Sequence, residues 1–321
     1  MEHVLQSWHV SKSGKAKTVI LADMPSSTVK EGYLWIHLDG TKESCRTWLR
    51  DDPDVDAIAE RTLLGGDARP RTIAHEQNVL INLRGVNLNP GSQPEDMIGI
   101  RFFVESRRII SVERRPLRAT QDLATRMKTQ LVPTTTGGFL ATYAMYVADR
   151  MAPTITDLNE QVDTLEEKVD AKKSDDSRQV LSELRRDAIL LRRYLAPQRD
   201  ALNTLALQTV PWITPDDRLR IREAADQATR VNEELEAIRE RAAIVKDQLT
   251  DQRAEEMNRN MMVLSVVAAV FLPLGLISGM MGINVGGMPW TETKMGFWYV
   301  TAIVFGVGVI LLAIFKWAKW L

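Results

Sequence analysis

The sequence predicts an α/β domain on the cytoplasmic side of a membrane, followed by a long stalk helix continuous with a two-span α-helical membrane hairpin. Three observations predict it. Two uncharged runs, Met261 to Met281 and Met295 to Phe315, lie near the C-terminus. Neither glycine nor proline interrupts the chain between Asp216 and Phe271. Before Pro116, short β-rich runs alternate with turn-formers and one helical stretch.

Each uncharged run holds about 21 residues, which as a helix reaches roughly 30 Å, the thickness of a bilayer's hydrocarbon core. The connection between the runs is short, so the two spans form a hairpin with both outer ends on one side. Lys246, Arg253 and Arg259 precede the first span, and Lys316 and Lys319 follow the second, whereas the connecting loop holds only Lys294 beside Glu292. Basic residues favour the cytoplasmic face, so both termini are expected there. Trp290, Trp298, Trp317 and Trp320 bracket the second span at the headgroup level.

The chain has 321 residues, with 41 basic and 42 acidic side chains and a net charge of −1, a balance that gives no reason to expect nucleic acid as a partner. Met1 to Val10 has no basic or apolar leader pattern, so no cleavable signal peptide is expected. Cys45 stands alone, which excludes a disulfide framework and a cysteine metal cluster. No glycine-rich phosphate loop, nucleophile elbow or acid/base pair is present, so neither an enzyme nor a cofactor is expected.

In chain order, strands are expected at Val4–Trp8, Lys17–Leu21, Tyr33–Leu38, Asn78–Asn87, Met97–Val104 and Arg108–Val112, the last three as an antiparallel meander. A helical stretch at Ser44–Leu64, interrupted at Pro53, separates the third strand from the fourth. This domain occupies 1–136. An antiparallel helical hairpin follows over 137–213, beginning with a helix at Phe139–Met151. Ile155, Leu158, Val162, Leu165 and Val169, then Leu181, Leu184, Ala188, Leu191 and Leu195, repeat at spacings of three and four, which is a coiled-coil seam on each arm. The stalk, 214–260, opens at Thr214, with Pro215 first in the helix and Asp217 three residues after the cap. Ala224, Ala228, Val231, Leu235, Ile238, Ala242, Val245 and Leu249 form its seam, which the hairpin can cover. The first span is 261–281, kinked at Pro273; a loop at 282–294, a second span at 295–315 and a basic tail at 316–321 complete the chain.

At Gly282-Ile283-Asn284, after this long helix and before Met288-Pro289 and the second span, the chain resembles the CorA superfamily of divalent-cation transporters. The magnesium-transporting members carry Gly-Met-Asn at this turn; Ile283 in the middle resembles the ZntB zinc-transporting branch. So does the stretch from Arg84-Gly85-Val86-Asn87 to Asn89-Pro90, followed by Pro94-Glu95-Asp96-Met97. The resemblance spans the whole chain. It implies a funnel-shaped homopentamer in the bacterial inner membrane that moves zinc and related divalent cations, with proton coupling.

Two readings of Asn284 compete: a helix C-cap, or a ring of amide oxygens at the pore mouth that holds the water shell of an entering cation. The resemblance favours the second. Below it, Asn258, Met261, Ser265, Ala268, Leu272, Gly275 and Gly279 share one helical face, which either lines a pore or packs helices through the small-residue pairs Gly275/Gly279 and Ala302/Gly306. Asp226, Glu233, Glu240 and Asp247 recur every seven residues along the stalk, and by sevens the same line continues through Ala254, Met261, Ala268 and Gly275. These acids either line a cytoplasmic funnel that concentrates cations or form an ordinary solvated face. His3, His9, His37 and His75 show no ligand spacing, so no tight metal site is expected, and His37 beside Trp35 reads as a packing or hydrogen-bonding residue. With no ionisable group in either span, proton coupling must use groups at the ends, such as Glu292 or the stalk acids. The rival readings are a magnesium, cobalt or nickel channel of the same fold and, from another class, a membrane-anchored scaffold or sensor. Asn284→Ala is expected to abolish zinc flux in an assembled oligomer; normal flux through the assembled variant would remove the side chain from the pathway.

Overall fold

The computed structural model describes residues 2–21, 29–66, 68–75, 77–171, 177–283, 289–290 and 293–318. Asn284, Met288, Glu292, Lys319, Trp320 and the centre of the hairpin tip, 172–176, lie outside the described residues. The chain divides into two compact units, Met1–Val245 and Lys246–Leu321.

The first unit is built on a seven-stranded sheet of β1 (Val4–Val10), β2 (Ala16–Thr18), β3 (Tyr33–Asp39), β4 (Arg71–His75), β5 (Asn78–Gly85), β6 (Ile98–Val104) and β7 (Arg108–Glu113), in the order β2-β1-β3-β7-β6-β5-β4. β5, β6 and β7 form the expected antiparallel meander. The pair β3–β7 is parallel, with Ile36 opposite Ile110, and it sets β3 inside the sheet, beside the central strand β7.

Strand alternation sends β3 side chains to two covered faces. Leu34, Ile36 and Leu38 pack with Cys45 and Leu49 of α1 (Glu43–Asp51) and Ala59 and Leu63 of α2 (Ala57–Leu64). Burial pushes the Cys45 thiol up to about 11, with Asp39 adding to the shift, so it stays protonated and inert. On the other face Tyr33 and Trp35 meet Phe139 of α4 (Thr136–Asp149) at ring centroid distances of 6.1 and 5.0 Å, and Phe102 meets Tyr143 at 4.8 Å.

A buried polar chain ties this face to α3 (Arg118–Thr129). Trp35 Nε1 donates to Ser111 Oγ (2.8 Å), which also lies 2.8 Å from His37 Nδ1. His37 Nε2 lies 3.2 Å from Glu113 Oε1, and Glu113 Oε2 accepts from Leu117 N and Thr120 Oγ1, each at 3.3 Å. His37 is therefore a hydrogen-bonding residue inside the domain, as its place on the strand suggests.

The helical hairpin consists of α5 (Ala152–Asp170) and α6 (Ser177–Leu207), and every seam residue read from its spacing is buried. Pro197 is tolerated inside α6, whose second half docks on the sheet: Thr72 Oγ1 donates to Ala201 O (2.7 Å), and Arg84 N donates to Gln198 Oε1 (2.7 Å). The Arg84 guanidinium also lies 4.1 Å from the centre of the Tyr194 ring. Farther along, Asn89 Nδ2 donates to Asn87 Oδ1 (2.9 Å) and to Pro116 O (3.0 Å). The stretch that resembles the ZntB branch thus serves as a joint within the first unit.

Helix α7 runs unbroken over 67 residues, Pro215–Met281, with Pro273 inside it, and α8 covers Gly296–Trp317. Both contain segments long and apolar enough to cross a membrane. From Ile221 to Val245 the α7 seam is buried, and its flanks pair with the hairpin. Arg241 contacts Glu166 (2.6 Å) and Asp163 (2.5 Å) of α5, and Glu236 pairs with Arg192 of α6. The hydrogen bonds to Glu166 and Asp163 hold the Arg241 proton more tightly than usual.

One carboxylate joins two helix starts. Asp217 N donates to Thr214 Oγ1 (3.1 Å) while Asp217 Oδ2 accepts from Thr214 N (3.0 Å), a capping box with Asp in the return position. The same carboxylate accepts from Thr135 Oγ1 (3.0 Å), the N-cap of α4, and a Cβ at Gly137 would lie only 2.8 Å from it. Asp217→Ala removes both functions and is expected to cost about 2 kcal/mol, read as a lower thermal midpoint of the purified protein. An unchanged midpoint would show that the shared cap contributes nothing.

Candidate pore-lining face

The second unit places the candidate residues on one side of α7. Asn258, Met261, Ser265, Ala268, Leu272, Gly275 and Gly279 are all exposed, and Leu272 is 72% exposed. The side toward α8 is different: Val270, Leu274 and Ser278 border a cleft shared with Val304, Gly308 and Leu312. At about 100° per residue the two sets lie on opposite faces of α7.

The glycines separate the two readings of this region within one chain. A Cβ at Gly275, Gly279 or Gly306 would meet nothing within 4 Å, whereas one at Gly308 would lie 3.5 Å from Leu274 Cδ1. The close approach of α8 to α7 therefore runs through Gly308, and Gly275 and Gly279 remain open. Ser265 Oγ is turned inward, donating to Met261 O at 2.8 Å, as a hydroxyl in apolar surroundings does. The face thus presents small and apolar groups without an ionisable side chain from Met261 to Gly279.

Gly282 ends the helix, its N–H bonded to Ser278 O (3.0 Å) and Gly279 O (3.1 Å), and Ile283 follows, 54% exposed. Gly282 borders the cleft toward α8, and Ile283 stands next to it at the loop end of α7. Asn284, the third residue of the turn, is outside the described residues, so the choice between cap and mouth rests on its sequence context.

In the first unit Asp226, Glu233 and Glu240 are exposed on the α7 face away from the buried seam, and Asp247 is exposed at the start of the second. None of the four is ion-paired to a described residue, unlike Glu236, Glu223 and Asp216 on the same helix. Four exposed carboxylates thus recur at heptad spacing along α7. Among the described residues no three His, Cys, Asp or Glu side chains gather as a metal cage.

A family model described as "CorA-like Mg2+ transporter protein" matches residues 30–318. The chain belongs to the CorA-like family. Its members are transporters, and the chain is accordingly not an enzyme. It is 38% identical over 294 residues to "Divalent cation transporter CmaX" of Pseudomonas aeruginosa, covering 91% of this chain and 88% of that one. It is 34% identical over 288 residues to "Zinc transport protein ZntB" of Pectobacterium atrosepticum, covering 89% and 88%. The fold matches the full-length CmaX structure with a TM-score of 0.86 at 35% identity, covering 99% of this chain and 98% of that one. It also matches the CorA magnesium transporter of Methanocaldococcus jannaschii at 0.85, over 99% of both chains; at 18% identity that likeness concerns fold alone.

For this CorA-like chain, replacing all four acids with Asn or Gln is expected to lower divalent flux several-fold at low ionic strength and much less at high, because salt screens exposed charges beyond about 10 Å at 0.1 M. Equal flux in the assembled quadruple variant and the parent at both salt concentrations would make the row an ordinary wet face.

Proposed function

We propose that the protein is a homopentameric zinc transporter of the bacterial inner membrane, with both termini cytoplasmic and a central path along the exposed face of α7. The observation that carries this reading is that Met261, Ala268, Leu272, Gly275 and Gly279 stay uncovered on the side of α7 opposite α8. Two spans cannot enclose a water-filled path, so a conducting route needs several copies around an axis, and this face is free to line it.

In that arrangement a hydrated cation meets Gly282, Ile283 and the Asn284 amide at the mouth, where neutral oxygens hold its water shell without a fixed charge. Rings of Met261 and Leu272 form apolar constrictions that gate by dewetting. Asp226, Glu233, Glu240 and Asp247 raise the cation concentration at the inner end. Proton coupling in this reading uses groups outside the apolar spans, such as Glu292 or these acids, since the spans contain no ionisable side chain.

Zinc is supported by Ile283 at the turn and by the zinc-transporting name of the Pectobacterium relative. A second reading, a broader divalent channel that takes magnesium, cobalt or nickel, is supported by the wider name of the Pseudomonas relative. Purified protein in liposomes loaded with an ion-sensitive dye separates them. Zinc influx exceeding magnesium influx, and responding to an imposed pH gradient, is the expected result. Magnesium flux above zinc flux would establish the second reading, and absence of any divalent flux would leave a membrane-anchored scaffold.

A further inference from the structure

The helical hairpin of the first unit is polarised in charge. α5 carries Asp157, Glu160, Asp163, Glu166, Glu167 and Asp170 against Lys168 alone. α6 carries Arg178, Arg185, Arg186, Arg192, Arg193 and Arg199 against Glu183, Asp187 and Asp200. Yet among the described residues no ion pair joins the two arms. Asp163 and Glu166 pair with Arg241 and Arg192 pairs with Glu236, both on α7, while Arg199 pairs with its neighbour Asp200.

Helix geometry places the charges that are left. The buried seams, Leu158, Val162 and Leu165 on α5 and Leu184, Ala188 and Leu191 on α6, face each other. At about 100° per residue, Glu160 and Glu167 lie within about 20° of diametrically opposite the α5 seam, and Arg186 and Arg193 within about 20° of opposite the α6 seam. All four are exposed, and none is ion-paired to a described residue. Because the seams face one another, the two glutamates and the two arginines point to opposite flanks of the hairpin. They are out of each other's reach within one chain.

Each flank keeps one sign. Lys168 stands about 100° round α5 from Glu167, and the Glu183 carboxylate is engaged by Gln179, whose Nε2 donates to it at 3.0 Å. Ile189, 49% exposed, lies along α6 between Arg186 and Arg193 and gives the basic flank an apolar centre.

A body with one acidic and one basic flank fits a rotational ring, in which unlike patches of successive copies meet, and not a two-fold pair, in which a patch meets itself. The heights agree as well. α5 ends at Asp170 and α6 begins at Ser177, so the two arms run back from the same turn. At 1.5 Å per residue Glu160 stands ~15 Å and Arg186 ~14 Å from it. Rotation about an axis along the stalk preserves height, so it brings these two side chains of successive copies level.

We propose that the α5 flank of each copy docks on the α6 flank of the next, with Glu160 against Arg186 of the neighbouring copy; the inference rests on the homo-oligomeric reading above. Exposed ion pairs add little binding energy, so these flanks act on specificity: they set which face a neighbour accepts and at what height.

The test uses the full chain with Cys45 replaced by Ala, in detergent at low ionic strength. Glu160→Cys and Arg186→Cys are introduced singly and together, and a short bifunctional thiol reagent is added before a denaturing gel. The double variant is expected to give a ladder from dimer upward, because each copy offers one thiol to each neighbour. Either single variant is expected to run as a monomer on that gel. Light scattering on the same samples reports assembly. An assembled oligomer that yields no ladder would overturn the flank contact and leave the oligomeric reading standing, whereas a monomer by light scattering would overturn both. Dimers from a single variant would overturn the proposal in favour of like flanks meeting. Charge reversal gives an independent measurement. Glu160→Arg with Glu167→Arg is expected to lower the oligomer fraction of a dilute sample several-fold, and adding Arg186→Glu and Arg193→Glu in the same chain to restore it. Assembly unchanged by either set would overturn the proposal and return both flanks to solvent.

Discussion

Helix α7 changes its relation to its surroundings without changing its backbone. From Ile221 to Leu249 it buries a residue at every third or fourth position, and between Leu249 and Met281 it buries Val266 alone. An amphipathic helix needs a protein partner along one stripe, whereas an apolar one needs only a non-aqueous surrounding. The hairpin α5–α6 supplies the partner for the first half, with Arg241 and Glu236 clamping its edges. For the second half, α8 lies toward one face only. The uncovered remainder follows from putting 67 helical residues and two spans in one chain.

The joints of the first unit are polar and remote in sequence, and they fix where α7 starts. Asp217 caps its own helix and also receives the N-cap hydroxyl of α4, 82 residues earlier. Arg84 and Thr72 bind the second half of α6 to β5 and β4. Buried carboxylates and guanidinium groups persist here because each is hydrogen-bonded on several sides, which offsets the cost of removing them from water.

Legibility in the sequence followed the range of the interaction. The seams of α5, α6 and α7 were readable because a spacing of three and four is a local property of one helix. The Thr214 cap was readable for the same reason, but the second duty of Asp217 was not, since its partner Thr135 carries no local sign of it. β4 escaped because Arg71-Thr72-Ile73-Ala74-His75 has a single large apolar residue; it is an edge strand, held by β5 and by the Thr72 contact with Ala201. The parallel β3–β7 pair was equally silent, because strand neighbours far apart in sequence leave no periodicity. In the candidate site, that Asn258, Met261, Ser265, Ala268, Leu272, Gly275 and Gly279 share one helical face was legible from the helical wheel. That Gly308, rather than the small-residue pair of either span, makes the close approach was not, since spacing alone does not say which side a neighbour takes.

The central claim is that the uncovered face of α7 lines a path shared among copies, and site-by-site chemical access tests it most directly. Single cysteines placed from Met261 to Gly279, with Cys45 replaced by Ala, can be challenged with a charged thiol reagent during zinc flux in liposomes. The account predicts that modification and block recur at positions 261, 265, 268, 272, 275 and 279 and are absent at 270, 274 and 278. Reactivity that follows the α8-facing positions, or that shows no helical period, would contradict it.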